Sequence, residues 1–507
     1  MKRFLAITLS IIIVFSLCAC GNKETAKINC SSCGESISKD VAFCEHCGAA
    51  VNNADNESAD NSSANSSPIE SQTEETSKPT SSAQDTRKPS TNSKPSSNTS
   101  KPSNTTSTEQ KPKNETIPEG GIYTISVSGE ERKQGEKFPA KPQHTDVYKY
   151  EDYQYTYDDN IGGWAVKVIH KDKSNYSSLL SSIAGAPIRS LYETFKDCIN
   201  MKNCPDIPST VNDMRGTFNG CKKLIKVSQM PNEITDLTRT FSGCNSLTSV
   251  ANIPNSVVNL SYAFAACSSL SSVPSLPTNI KSLYYTFYNC KSMNTTPQIP
   301  QTVTDLTGTF AYCKSITTAP QIPKNVTIMR ETFEWCESLK KAPTIPQGVT
   351  DMYRTFNGCT ALITAPEIPI SVKNMQETFI NCKSLINAPR IHNGITSLWG
   401  TFSNCSSLTI APQIPEGVTE MFATFRDCTS LATVPPIPKS VRSMRYTFEN
   451  CTSLTGEIII NAILDDDKYA DPSTNNCFDG TVKPIVLTGS GQLHEFRYQG
   501  WNNVTIK

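Results

Sequence analysis

The stretch TDLTGTFAYCKSITTAPQIP, Thr304 to Pro323, returns 23 residues later as TIMRETFEWCESLKKAPTIP, residues 327–346. Working outward, Phe310 belongs to a column of twelve phenylalanines, each 23 residues from the next, that begins at Phe195 and ends at Phe448. A cysteine follows each phenylalanine by three residues, from Cys198 to Cys451, and no copy carries an insertion. The unit reads I-P-x-x-V-x-x-L/M-x-x-T-F-x-x-C-x-x-L-x-x-A/V-P-x. So short a unit cannot bury its own apolar face, but stacked copies turn each apolar column into a stripe of core.

A period of 23 falls in the leucine-rich-repeat range, where cysteine fills an Asn/Cys turn position. The run V-T-D-L-x-x-T-F-x-x-C-x-S-L resembles, over about Ser190 to Leu454, the BspA-like leucine-rich repeats of bacterial surface proteins. The extra proline, as at Pro320, departs from the plain pattern. The resemblance implies a curved, mainly β leucine-rich-repeat solenoid of about twelve 23-residue repeats, and a role in adhesion or protein binding.

Stacked side chains point in parallel at the strand spacing of about 4.8 Å. That is wider than the usual Cβ separation of a disulfide, so the cysteine column is expected as free, buried thiols. The proline columns, Pro320 and Pro323 among them, remove amide donors and argue against a full sheet on that side. The regular sheet is therefore expected through V-x-x-L/M-x-x-T. His392 replaces a proline in one copy and reads as a surface turn residue.

Fixed columns build core, and variable ones are free to bind. The two residues after each Leu/Met include Tyr192, Arg215, Arg239, Tyr262, Tyr284, Tyr285, Arg330, Tyr353, Arg354, Trp399, Phe422, Arg445 and Tyr446. Tyr, Trp and Arg dominate binding hot spots, so these thirteen are the candidate ligand-binding stripe. Aromatic residues also suit exposed strand positions without any ligand, and both readings stand.

Residues 1–20 carry Lys2 and Arg3 ahead of an apolar run of signal-peptide length. The ending Leu17-Cys18-Ala19-Cys20-Gly21 resembles a bacterial lipobox, which implies a lipoprotein signal peptide and lipidation of Cys20. An ordinary signal peptide with an incidental cysteine is the alternative. In 21–50, Cys30, Cys33, Cys44 and Cys47 form two C-x-x-C-G knuckles, a spacing suited to one closed, structural Zn2+ site. The segment resembles a zinc ribbon of the short bacterial type; two disulfides are the competing fate outside the cell. Residues 51–117, poor in apolar side chains and rich in Ser, Thr, Asn and Pro, read as a disordered linker with a mean reach of about 45 Å. Residues 118–190 alternate like strands, with tyrosines suited to packing or to sugars, and read as a β-rich N-terminal cap ahead of the repeats at 191–455. The period breaks at 456–507, a C-terminal cap with Cys477 as an irregular member of the cysteine ladder. Asp465 to Asp467 read as an acidic turn or a calcium ligand set.

The chain has 507 residues and no net charge, which leaves no electrostatic footprint for nucleic acid. No nucleophile elbow, phosphate loop or paired-carboxylate motif marks an enzyme. The sequence therefore points to a membrane-anchored binding protein at the extracellular face, its partner a protein or glycan on a host or neighbouring cell surface. A sensory protein that docks through its zinc ribbon is the alternative.

Overall fold

The computed structural model describes residues 27–29, 36–38 and 116–507, apart from 228, 465–473, 475, 492, 494, 495 and 497–500. The chain divides into two compact units, Met1–Lys113 and Asn114–Lys507. In the first, β1 (Lys27–Asn29) pairs antiparallel with β2 (Ser36–Ser38), Lys27 opposite Ser38. Cys20, Cys30, Cys33, Cys44 and Cys47, the linker as far as residue 115 and Asp465 to Asp467 lie outside the described residues. The last two linker residues are corrected: Thr116 bridges Lys137 and Ile117 is buried, so they belong to the N-terminal cap.

The second unit opens with β3 (Ile122–Thr124), β4 (Glu131–Arg132), β5 (Val147–Tyr150), β6 (Tyr153–Asp158), β7 (Gly163–Val168), β8 (Ser182–Ile183) and β9 (Ala186–Ser190). They form one sheet in the order β4-β3-β5-β6-β7-β9-β8. Alternation along β6 buries Tyr153, Tyr155 and Tyr157, and β7 buries Trp164 and Val166. These aromatic side chains are packing, and the fully buried tyrosines offer no surface to a sugar.

In the array the alternation disappears. All twelve phenylalanines of the column are wholly buried, with rings stacked 5.4–5.8 Å apart and within 12° of parallel. Each such ring contributes about 1.5–3 kcal/mol by burial. Threonine precedes every ring of the column except Phe264, where Ala263 stands, and is buried; Thr309 Oγ1 donates to the carbonyls of Leu283 and Leu306, both at 2.9 Å. Cysteine is small enough to sit beside the ring, and its thiol donates to the phenylalanine carbonyl one repeat back, as from Cys313 Sγ to Phe287 O at 3.1 Å. The column thiols are free and buried, as expected, and burial pushes Cys313 up to about 12.

The expected sheet through V-x-x-L/M-x-x-T is corrected. Repeats touch there through single parallel bridges such as Asp305↔Ile328 and Ile328↔Asp351, and β10 (Lys226–Val227) with β11 (Ser249–Val250) is the one named strand pair of the array among the described residues. The segment is instead a run of turns. Thr309 N donates to Leu306 O, Ala311 N to Gly308 O and Cys313 N to Phe310 O. The intervening amides reach the next repeat, from Leu306 to Ile328 O, Gly308 to Arg330 O and Phe310 to Thr332 O. Left-handed backbone occurs twice in each repeat, four residues apart, as at φ +58° for Gly308 and +62° for Tyr312, and this interrupts any strand.

Both ends of the ring stack are closed edge-on. Tyr153 and Tyr176 meet Phe195 at 86° and 69°. At the far end Phe478 stacks on Phe448, and Trp501 meets Phe478 at 87° with centroids 5.3 Å apart. Here β12 (Gly456–Ile459), β13 (Ile485–Thr488) and β14 (Val504–Ile506) form a parallel sheet. Cys477 is not in the cysteine slot: its carbonyl accepts from Phe448 N, the role Thr447 plays for Phe425. It fills the threonine slot because Phe478, the next residue, continues the ring stack.

Candidate binding face

The residue pair after each Leu/Met is held by two local devices. The first residue of most pairs has its amide capped by a polar side chain two residues earlier, a local turn that Asp, Asn and Ser favour; Arg330, which has Ile328 at that position, lacks this cap. Asp351 Oδ1 accepts from Tyr353 N at 2.9 Å, Asp213 Oδ1 from Arg215 N at 3.1 Å, and Ser282 Oγ from Tyr284 N at 3.2 Å. The second residue is left-handed in all twelve repeats, and only Gly216, Gly308 and Gly400 are glycines there. The other nine, Arg239, Tyr262, Tyr285, Arg354 and Tyr446 among them, carry a cost of order 1 kcal/mol each.

These second residues are tied to their neighbours. Tyr262 and Tyr285 stack at 5.2 Å and 8°, the Arg239 guanidinium lies 5.3 Å over Tyr262, and Arg354 pairs with Glu377 at 2.8 Å. The Tyr285 hydroxyl donates to Glu331. Tyr262 and Tyr285 are held above the ordinary phenol range, in both cases by burial first. The first residues face outward more freely: Tyr192 is 49% exposed and Trp399 47%. Others are half-buried: Tyr284 packs on Tyr285 at 4.7 Å, and Tyr353 has Arg330 and Arg354 each 5.0 Å from its ring.

The thirteen candidates thus fall into three groups. Tyr192 and Arg215 make one, with the guanidinium 5.3 Å over the ring and paired to Asp213. The middle group contains Arg239, Tyr262, Tyr284, Tyr285, Arg330, Tyr353 and Arg354. In the third, Trp399 meets Phe422 at 5.5 Å and Phe422 meets Tyr446 at 5.4 Å, with Arg445 beside Tyr446 in sequence. Gln376 and Glu377 separate the second group from the third. The tyrosines stand on turns, so exposed-strand preference does not account for them.

Three aromatic members were missed by the sequence reading. Tyr288, Tyr312 and Trp335 lie between the Phe and Cys columns, and extend the middle group through Tyr285–Tyr288 (5.6 Å), Tyr288–Tyr312 (5.4 Å) and Tyr312–Trp335 (6.3 Å). An amide chain continues the row: Asn357 Nδ2 donates to Glu334 Oε1, Asn381 Nδ2 to Asn357 Oδ1 and Asn404 Nδ2 to Asn381 Oδ1. His392, read as a surface turn residue, is a half-buried one whose Nδ1 accepts from Gly394 N at 3.0 Å. On the proline side a groove of about 750 Å³ is lined by Pro320, Pro323, Pro343, Pro346, Lys324 and Lys341.

Mainly β, with no α-helix among the described residues, and stacked at a period of 23, the fold is of the leucine-rich-repeat type. Residues 191–317 and 307–422 match the family described as BspA type leucine rich repeat region. A leucine-rich repeat protein from Bacteroides ovatus ATCC 8483 has a similar structure at a TM-score of 0.50 and 22% identity, covering 71% of this chain and 98% of its own. A leucine rich cell surface protein from Faecalibacterium prausnitzii A2-165 matches at a TM-score of 0.46 and 19% identity, over 71% and 98% of the two chains. The pneumococcal vaccine antigen PcpA matches at 0.40 and 11%, over 72% and 98%. No curated protein matches this chain in sequence.

Proposed function

We propose that this chain is a surface-displayed binding protein whose repeat array holds a protein or glycan ligand on the face built from the pairs after each Leu/Met. The observation that carries this reading is the alignment of aromatic and guanidinium side chains along one face, with Tyr192, Arg330 and Trp399 each close to half exposed. Buried thiols held well above their ordinary range make poor nucleophiles, and the array offers adhesion or protein–protein interaction rather than chemistry.

Display at the surface rests on the lipobox-like Leu17-Cys18-Ala19-Cys20-Gly21, which would attach the chain to the membrane through Cys20. Several acyl chains give a stable anchor where one is marginal. A structural zinc at Cys30, Cys33, Cys44 and Cys47 is supported by the donor set and by the β1–β2 hairpin, whose connecting residues 30–35 contain the first knuckle. Four thiolates fill a tetrahedral zinc and leave no open position for catalysis. The experiment that tests the function is a binding screen of the purified chain against host-matrix proteins, mucins and bacterial cell-wall glycans. Saturable binding to one of them supports the reading, and binding to none of them counts against it.

A further inference from the structure

Glu334 is only 7% exposed, and a buried carboxylate is costly unless a cation pairs with it. Among the described residues it has no ion pair. Its Oε1 accepts from Asn357 Nδ2 at 2.8 Å, while the Arg354 guanidinium is engaged by Glu377. Glu331, three residues earlier, accepts from the Tyr285 hydroxyl and likewise has no ion pair among the described residues. Burial, then Glu331, pushes Glu334 up to about 7; Glu377 adds to this, and Arg354 and Asn357 oppose it.

Beside these carboxyls runs the row that the sequence reading missed. Tyr288 and Tyr312 meet at 65°, and Trp335 lies against Tyr312 at 24°. Ring faces are negative and attract cations. Elsewhere on this face the array supplies the cation itself: Arg215 lies over Tyr192, Arg239 over Tyr262, Arg330 and Arg354 over Tyr353, and Arg426 over Tyr446. Among the described residues no guanidinium or ammonium lies over Tyr288, Tyr312 or Trp335. Rings and carboxyls are in place here, and the cation is missing.

The geometry points to a docking site for a lysine or arginine side chain of a partner protein, with Glu334 and Glu331 as counter-ions and Tyr288, Tyr312 and Trp335 as the apolar wall. This rests on the reading of the face as a protein-binding surface. The occupant is a protein because the patch is continuous, through Tyr285, with a stripe that extends over further repeats. A polypeptide lying along the stripe would present a basic side chain here while its other residues meet Tyr284 or Arg330.

The test uses the full chain and a lysine-rich peptide, with the same peptide fully acetylated as its neutral twin. Binding is measured for the wild type, for Glu331→Gln/Glu334→Gln, and for Ile370→Ala, an exposed residue outside the stripe, as a control. The lysine peptide is expected to bind the wild type and the Ile370→Ala variant alike. The double variant should bind at least about tenfold more weakly, and the acetylated peptide should not bind. Equal affinity for the double variant, or for the acetylated peptide, overturns the proposal. Should the double variant fail to fold, the wild type decides alone: affinity must tighten from pH 6 to pH 8 as Glu334 ionises, and a flat profile overturns the proposal. A ligand from the surface screen that needs Trp399 and ignores Glu331 and Glu334 would leave the proposed function standing without this site. A lysine peptide held at Glu334 with no surface ligand found would do the reverse.

Discussion

The ring of Tyr285 covers Gly308: a Cβ on that glycine would stand 2.4 Å from the ring. From there the tyrosine hydroxyl reaches Glu331, two repeats away. One side chain therefore spans three repeats because the middle one has none. Gly308→Ala adds a left-handed alanine at φ +58° and the ring contact, and is expected to cost about 1–3 kcal/mol. Tyr285→Ala in the same chain should return part of that loss, leaving the backbone share of about 1 kcal/mol. Urea midpoints of the four proteins of this double-mutant cycle check it, and strict additivity would refute the contact.

Phe310 stacks between Phe287 and Phe333 and has no space around it to collapse into. Phe310→Ala should cost about 3–5 kcal/mol. In a one-dimensional array a central break uncouples the two sides, so denaturation should change from one transition to two. Trp501→Ala, which uncovers the last ring of the stack, should lower stability without splitting the transition.

The column thiols are buried, with Cys313 held up near 12. Iodoacetamide at pH 8 should leave Cys221 to Cys451 unmodified in the native chain and label them all in urea. Peptide mass spectrometry reads this directly. Labelling of the column in the native state would mean that the stack opens.

Glu334 makes an unusual contribution to pH dependence. Its folded value, about 7, lies above the ordinary glutamate value of 4.5, so the folded state holds the proton more tightly. Its stabilising share is complete below pH 4.5 and is lost as pH rises through about 7. The facing groups are Glu331, Glu377, Arg354 and Asn357. Glu334→Gln keeps the amide contact without the charge, so the variant should match the wild type near pH 4 and exceed it at pH 8. Thermal melts at several pH values measure the difference; a constant gap would contradict it.

If Cys30, Cys33, Cys44 and Cys47 hold zinc, the purified chain should carry about one equivalent, and Cys44→Ser should lose it. Elemental analysis settles this, and a metal-free chain lighter by four hydrogens would indicate two disulfides instead.

The stacking of this fold was legible because the residues that make it, Phe310, Cys313 and their equivalents, face only one another and recur without insertion. The turn backbone was missed, although the slot before each cysteine carries the signal. Gly220, Gly243, Asn289, Gly358, Asn381, Asn404 and Asn450 are residue types that tolerate left-handed backbone, and all are left-handed here. The signal was masked in the other left-handed slot, where tyrosine, arginine and glutamate pay the strain. Tyr288, Tyr312 and Trp335 escaped notice because they are split between two neighbouring slots filled mostly by small or polar residues, where one or two aromatic residues make no column. Glu334 could not be singled out at all, since its burial depends on rings from neighbouring repeats.

The central claim is that the face after each Leu/Met holds the ligand, and a direct measurement compares two proteins. In one, Tyr284, Arg330, Tyr353, Arg354 and Trp399 are all alanine; the other is the wild type. Both are titrated with whichever surface ligand the screen identifies, after circular dichroism shows that both are folded. Loss of at least about a hundredfold in affinity by the folded variant is the predicted result. Equal affinity would place the ligand on another face and contradict the account.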